Sequence, residues 1–285
     1  MAIDYAALKA RSFPEVSQAY SRRDTMMYAL SIGAGADPLD ESDLSFVYEE
    51  DLRAFPMMAC VLASPGFWLR EPDTGVDWKM VLHAEQNLEI LRPLPVEGEI
   101  VARNRIEEII DKGPGRGAIL YQRRDIAGAD GALYAIVRQS TFVRGEGGFG
   151  GAEGPLKPVH VITDRAPDLS VVTQTRADAA LLYRLNGDYN PLHADPKVAA
   201  AAGFDRPILH GLCTYAIAGR ALIRALMDNR PDRLTGLDAR FSSPVLPGNT
   251  LRTDIWHGEA GVASFRCVVA ETGQVALNNG QVRFG

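Results

Sequence analysis

At 285 residues, 46% hydrophobic and 23% charged, the chain is long enough for one large or two ordinary domains with real cores, and its composition argues against disorder. A formal net charge of -6 speaks against a nucleic-acid groove, because phosphate binding shows itself as a basic surplus. Cys60, Cys213 and Cys267 are odd in number, far apart and set in apolar surroundings, so they read as reduced core residues. No stretch approaches the length of a membrane span, the N-terminal "MAIDYAALKARSF" has no signal-type apolar run, and "QVRFG" is not a peroxisomal tripeptide. The expectation is a cytoplasmic protein with no membrane partner.

Along the chain, "GAGA" at Gly33 has no strand before it, which removes a dinucleotide fingerprint. "AFPMMACVLASPGFW" allows about two turns of helix before Ser64-Pro65-Gly66 stops it. The segment "LEILRPLPVEGEIVARNRIEEII", the turn "DKGPGRG" and "AILYQRRDIAGADGALYAIVRQSTFV" then read as a Pro-containing approach, a Gly at 98, and three alternating strands. The Gly-rich "VRGEGGFGGAEGPLKP" reads as a linker, loosest at 145–151, because no helix follows its glycines.

After it, "TRADAALLYRLN" predicts a helix with Thr175 as N-cap and Asp178 at N3, ended by Gly187. A short helix follows, with Asp195 as N-cap, Pro196 at N1 and Gly203 as its stop. "GLCTYAIAGRALIRALMD", residues 211–228, is a long helix with Leu212, Tyr215, Ala216, Gly219, Leu222, Ile223 and Leu226 on one stripe. "ARFSSPVLPGNTLRTDIWH", "GEAG" and "VASFRCVVAETGQVALNNGQVRF" repeat the earlier pattern, with Gly248 in the place of Gly98. The simplest organisation is a duplicated domain: 1–144, a linker at 145–158, and 159–285. One copy has a full central helix and the other a stub, leaving space for a ligand tail.

Asp188, Asn190 and His193 in "GDYNPLHADP" lie between two helices, and none is needed as a helix cap. Three chemistries suit them. They could close Asx-turns; Asp188 and His193 with His210 could ligate a metal, although no second carboxylate or histidine follows at ligand spacing; or an imidazole and a carboxylate could do acid–base work. Gly211 opens the long helix, where unpaired N–H groups and the dipole suit a carbonyl oxygen that gains charge. There is no P-loop, no G-x-S-x-G elbow and no zinc spacing.

"YRLNGDYNPLHADP" with "AGFDRPILHGLCTYA" resembles the signature of the hydratase 2, or MaoC-like, (R)-specific 2-enoyl-CoA hydratases. "YALSIGAG", "LSFVYEE", "VLHAEQNLEILRPLP", "DKG", "GGFGG" and "ARFSSPVLPGNTL" extend the resemblance over nearly the whole chain, in the arrangement of the hydratase part of peroxisomal multifunctional enzyme type 2. The resemblance implies an α+β double hot dog: two antiparallel sheets, each associated with a central helix, the N-terminal helix shortened to admit an acyl chain. It implies hydration of trans-2-enoyl-CoA to (R)-3-hydroxyacyl-CoA on medium or long chains, without metal or organic cofactor, by a homodimer.

In that family Asp188 and His193 would bind and polarise water, Asn190 would orient them, Gly211 would supply the oxyanion N–H, and Glu49 would match an important acidic position. His83, Ala84, Lys112, Tyr189 and Phe241 would contact the acyl-CoA, with Ala84 standing where the family has glycine. The competing readings are a dehydratase of short or branched 3-hydroxyacyl-CoA, a thioesterase on the same fold, and an acyl-CoA binding protein without turnover.

Overall fold

The computed structural model describes residues 3–145 and 147–285. Ten strands form its frame: β1 (Val16–Tyr20), β2 (Val81–Ile90), β3 (Gly98–Asp111), β4 (Ala118–Gly128), β5 (Leu133–Val143), β6 (Leu169–Gln174), β7 (Leu234–Phe241), β8 (Thr250–His257), β9 (Val262–Val269) and β10 (Val275–Phe284). All pair antiparallel in the order β1-β3-β4-β5-β2-β7-β10-β9-β8-β6. Counted from its outer edge inward, each half runs first, third, fourth, fifth, second strand. This identical order is the geometric form of the duplication read in the sequence. Gly98 and Gly248 both hold positive φ, +149° and +91°, at matched entries to β3 and β8.

The two expected sheets are continuous. β2 pairs with β7 from Glu85↔Arg240 to Glu89↔Gly236, and the opposed Leu88 and Leu237 are both buried to about 1% exposure or less. The sequence also hid the short edge strands β1 and β6, and the full length of β2, so each half has five strands rather than three.

Among the described residues six α-helices accompany the sheet: α1 (Tyr5–Lys9), α2 (Arg22–Ser31), α3 (Leu44–Val47), α4 (Ala179–Tyr183), α5 (Pro196–Ala201) and α6 (Gly211–Leu226). α6 is buried well beyond the expected stripe, because Cys213, Thr214, Ile217, Ala218 and Ala221 are enclosed as well. In the first half the expected two-turn helix is a single 3-10 turn, Pro56–Cys60, with every residue buried. It packs directly on α6: a Cβ on Gly219 would lie 2.9 Å from the Met57 methyl and 3.0 Å from Leu237. The stub's carbonyls find a buried donor, as Arg124 Nη2 donates to Cys60 O at 2.5 Å and leans on Ala59 O at 3.4 Å. With no carboxylate partner among the described residues, burial pulls the Arg124 guanidinium down to about 10. Asn104, Gln122 and Arg124 are all buried on β3 and β4, so this half is not purely apolar inside.

α4 corrects a second expectation. It starts at Ala179, and Thr175 is no N-cap; its hydroxyl donates to Asn249 O at 2.7 Å and accepts the Gly248 N–H at 3.0 Å. The contact with the approach to β8 outcompetes a local cap. α5 is as expected, with Asp195 accepting the Lys197 N–H, Pro196 first, and Gly203 at φ +87°. The three cysteines are free and buried.

The Gly-rich segment is tethered rather than loose at its described residues. The Asp111 carboxylate accepts the N–H groups of Gly113, Gly148 and Gly150 at 2.8–2.9 Å, which holds its pKa down to about 2. A depressed carboxyl stabilises the fold above its unfolded pKa and loses that contribution as pH falls through the folded one. Asp111→Ala should therefore speed amide exchange at Gly148 and Gly150 and cost about 1–2 kcal/mol near pH 7. The gap from wild type should close between about pH 4 and pH 2. Unchanged exchange at both glycines would remove this tether from the account.

Candidate active site

The segment between α4 and α5 is built by local punctuation. Gly187 ends a 3-10 turn at φ +110°, and a second such turn runs Pro191–His193. Asn190 caps that second turn, accepting the Leu192 N–H at 3.1 Å, while Asp188 Oδ1 accepts the Asn190 N–H at 3.2 Å. The expectation that none of the three polar residues acts as a cap fails for Asn190. Its side chain holds the loop's shape.

Asp188, His193 and His210 come together, with one ligand atom from each within 4.8 Å of the other two. His193 is 8% exposed and His210 1%. Their rings stack, centroids 3.8 Å apart and planes at 28°. Backbone carbonyls assign the tautomers: His193 Nδ1 lies 2.9 Å from Ile208 O, and His210 Nε2 lies 3.2 Å from Asp188 O, so each of those nitrogens donates. His193 Nε2 is left with a lone pair, and His210 Nδ1 is buried without a protein partner among the described residues.

Burial lowers the pKa of both imidazoles, His210 to about 4 with further help from His193 beside it, while the Asp188 carboxylate pulls the other way. The pair is held neutral at physiological pH. Sequence reading had weighed His210 only as a metal ligand. Its type and position were visible, whereas its burial and stacking come from the fold.

Gly211 is the first residue of the 16-residue α6, and its N–H has no backbone partner among the described residues. A Cβ there would meet the Phe241 ring at 3.1–3.2 Å, so close packing also asks for glycine. Phe241, at the end of β7, packs on His83 with ring centroids 4.6 Å apart. His83 Nε2 contacts Glu85 O at 3.1 Å, and burial lowers this imidazole to about 4 against the pull of Asp188. Ala84 sits at a bulge between His83 and Glu85, where the pairing of β2 with β5 skips a residue. One surface thus joins β2, β7, the start of α6 and the Asp188 loop.

Other expected residues lie around or outside this surface. Tyr189 is exposed, its ring under the Arg184 guanidinium at 5.3 Å. Lys112 is exposed on the turn after β3, its Nζ 5.2 Å from the centre of the Phe142 ring on β5. Glu49 lies on the surface, where its carbonyl accepts from Arg22, and its carboxylate is not in the Asp188 cluster. Asn186 was not singled out from sequence. Its amide donates to Ser31 Oγ at 3.0 Å, tying the loop to the end of α2.

The strand order and the helix at its centre define the double hot dog class. A family model for the MFE-2 hydratase 2 N-terminal domain matches residues 18–145, and one for the MaoC like domain matches residues 158–279. Enoyl-CoA hydratase ChsH3 of Mycobacterium tuberculosis is 40% identical over 279 residues, 95% of each chain. The crystal structure of a MaoC-like dehydratase from Phytophthora capsici superposes with a TM-score of 0.87 at 33% identity, covering 98% of both chains. Full-length peroxisomal multifunctional enzyme type 2 from Drosophila melanogaster gives 0.83 at 34%, covering 95% of this chain and 48% of that one. The chain belongs to the MaoC-like hydratase 2 family.

Because the His193 pKa is lowered, its neutral form persists as pH falls through the ordinary histidine range. In an NMR titration the His193 ring shifts should stay those of a neutral imidazole at pH 6.5. A midpoint for His193 above 6.5 would refute the neutral assignment.

Proposed function

We propose that Asp188, His193 and Gly211 carry out the hydration of a trans-2-enoyl-CoA to an (R)-3-hydroxyacyl-CoA. The reaction is that of the hydratase 2 family to which the chain belongs, and this protein is a hydro-lyase. The observation that supports the residue roles is the fixed His193 tautomer beside Asp188: one basic nitrogen and one carboxyl within 4.8 Å at the mouth of α6.

The thioester makes C3 electrophilic. His193 Nε2 removes one proton from water as the oxygen bonds to C3, and the π electrons move through C2 onto the thioester oxygen. The Gly211 N–H at the positive end of α6 stabilises that oxygen. The proton His193 takes passes to the Asp188 carboxylate and from it to C2, so one water supplies both the hydroxyl and the proton and the pair ends as it began. Both groups act from one side of the substrate, which gives syn addition. Asn190 orients Asp188 through its own N–H. Glu49 has no part in this reading, because its carboxylate lies outside the cluster.

Asp188, His193 and His210 also offer an N, N, O donor set. The reaction as written balances with water and side chains alone, so the proposal includes no metal or organic cofactor. Turnover should survive exhaustive chelation unchanged; loss on chelation and recovery with zinc would make the cluster a metal centre.

Medium or long acyl chains are proposed on the strength of the Pro56–Cys60 stub, with Arg124 and Asn104 limiting the apolar length beside it. Each methylene the first half buries should add about 0.8 kcal/mol to binding. KM should fall from four to eight carbons with kcat nearly level, whereas worsening beyond four carbons would favour a short-chain dehydratase. A cytoplasmic homodimer completes the proposal, its dimer resting on family resemblance and its reducing compartment on the three free cysteines.

The central test is loss of enoyl-thioester absorbance with crotonyl-CoA, followed by chiral analysis of the product. Asp188→Asn and His193→Ala should each lower kcat by roughly 10² to 10⁴ with small changes in KM. The double variant should be little worse than the worse single one. Near-normal turnover in either folded variant would end the assignment.

A further inference from the structure

The segment that leads into β2 carries a surface cluster that the hydration chemistry leaves unused. Trp78 is 36% exposed and Phe67 46%, and their rings meet edge to face at 6.1 Å. The Arg70 guanidinium lies 4.6 Å from the Trp78 ring centre and 5.0 Å from that of Phe67, and Lys79 Nζ lies 5.8 Å from Trp78. Exposed Met80 and Leu82 continue the patch. Leu82 pairs across the strands with Phe142, the ring beneath Lys112.

Among the described residues, Arg70, Lys79 and Lys112 have no carboxylate partner. The neighbouring acids are engaged elsewhere: Glu71 and Asp73 with Arg11, Asp77 with the Lys79 N–H, and Asp111 with glycine amides. A chain of net charge -6 thus sets two cations, Arg70 and Lys79, without carboxylate partners among the described residues, against one open indole. Trp78 precedes His83 by five residues, a span of no more than roughly 17 Å when extended. A coenzyme A thioester lying extended is long enough to reach from His83 and Phe241 to this patch.

We propose that Trp78, buttressed by Phe67 and Arg70, is the stacking platform for the adenine ring of the coenzyme A thioester, and that Arg70 and Lys79 take its phosphates beside the Lys112 that the family resemblance assigns to the acyl-CoA. This rests on the hydration reading for the identity of the substrate. An aromatic face and unpaired cations are what an anionic purine nucleotide requires, since a base stacks on any aromatic face for about 1–3 kcal/mol. The cations also draw the polyanionic end of the substrate toward the mouth, which raises the association rate at low salt. Methionine and leucine beside the indole provide apolar contact for the pantetheine arm.

The experiment compares S-crotonyl-CoA with S-crotonyl-pantetheine, which has the same reacting atoms and no nucleotide. Trp78→Ala should raise KM for the CoA ester roughly 5- to 100-fold and leave kcat, and KM for the pantetheine ester, unchanged. Trp78→Phe should restore most of the loss. Arg70→Gln with Lys79→Gln should flatten the salt dependence of kcat/KM for the CoA ester alone. Calorimetry with adenosine 3′,5′-bisphosphate should show binding by the wild type and at least fivefold weaker binding by Trp78→Ala.

Equal effects on both esters would make Trp78 a folding residue and overturn the proposal. So would unchanged KM together with Trp78-dependent binding to anionic phosphatidylserine vesicles, which would make the patch a membrane contact. Failure of the wild type to hydrate either ester would instead strike the hydration reading, and the calorimetry would still decide the platform.

Discussion

Backbone pairing between β2 and β7 is the contact on which the rest of the molecule depends. It turns two five-stranded copies into one ten-stranded sheet and fixes their register through the buried Leu88–Leu237 pair. Because the strands run antiparallel, residues of the first copy, His83 and Ala84, come level with the end of β7, where Phe241 closes on the start of α6. A one-residue slip would turn His83 to the other side of the sheet and separate it from Phe241. The substrate surface is therefore a property of the joint, and neither copy holds it alone. Asp43 of the first half and Arg220 of α6 add a buried ion pair across the same division.

Duplication lets the two copies share labour that one copy could not perform. The second keeps a 16-residue helix, whose length and burial present the Gly211 N–H at a rigid N-terminus. The first has replaced its helix by the Pro56–Cys60 turn. That replacement leaves terminal carbonyls without helical partners in the interior, and Arg124 answers them with a buried guanidinium. The charge so enclosed is costly, as its lowered pKa records. Shortening a central helix thus carries a local electrostatic consequence, and the polar Asn104–Gln122–Arg124 row is where the first copy absorbs it.

Much of this was legible in the sequence where short-range rules act. Gly187, Pro191, Asp195, Pro196 and Gly203 punctuate the Asp188 loop and its flanks by φ preference and capping, which depend on neighbours a few residues away. The stripe of α6 and the matched Gly98 and Gly248 were readable for the same reason. What escaped is long-range. Thr175 fits a capping pattern but bonds to Gly248 and Asn249, more than seventy residues on, and no local rule can weigh that contact. Strand alternation tells which face is buried but not which edge is paired, so the merger of the two sheets was invisible. Leu82 comes beside Phe142, the ring beneath Lys112, only through the pairing of β2 with β5. The carboxylate of Glu49, adjacent in sequence to a hydrophobic run, ends at the surface because α3 stops at Val47.

The electrostatics of the site follow from placing two imidazoles face to face at the positive end of a helix. Charging both rings at this separation would cost about 4 kcal/mol even with substantial screening. The α6 dipole disfavours a cation near Gly211 further, and burial disfavours either charged form. Asp188 supplies the opposing pull, so one proton at a time can be accommodated between the rings and the carboxyl. Such a cluster resists protonation at rest, which leaves His193 Nε2 its lone pair. The same fields that keep the resting imidazole neutral favour negative charge on the thioester oxygen at Gly211. An unprotonated His193 and, in the proposed reaction, a stabilised oxyanion therefore draw on one arrangement, the start of α6 against the Asp188 loop.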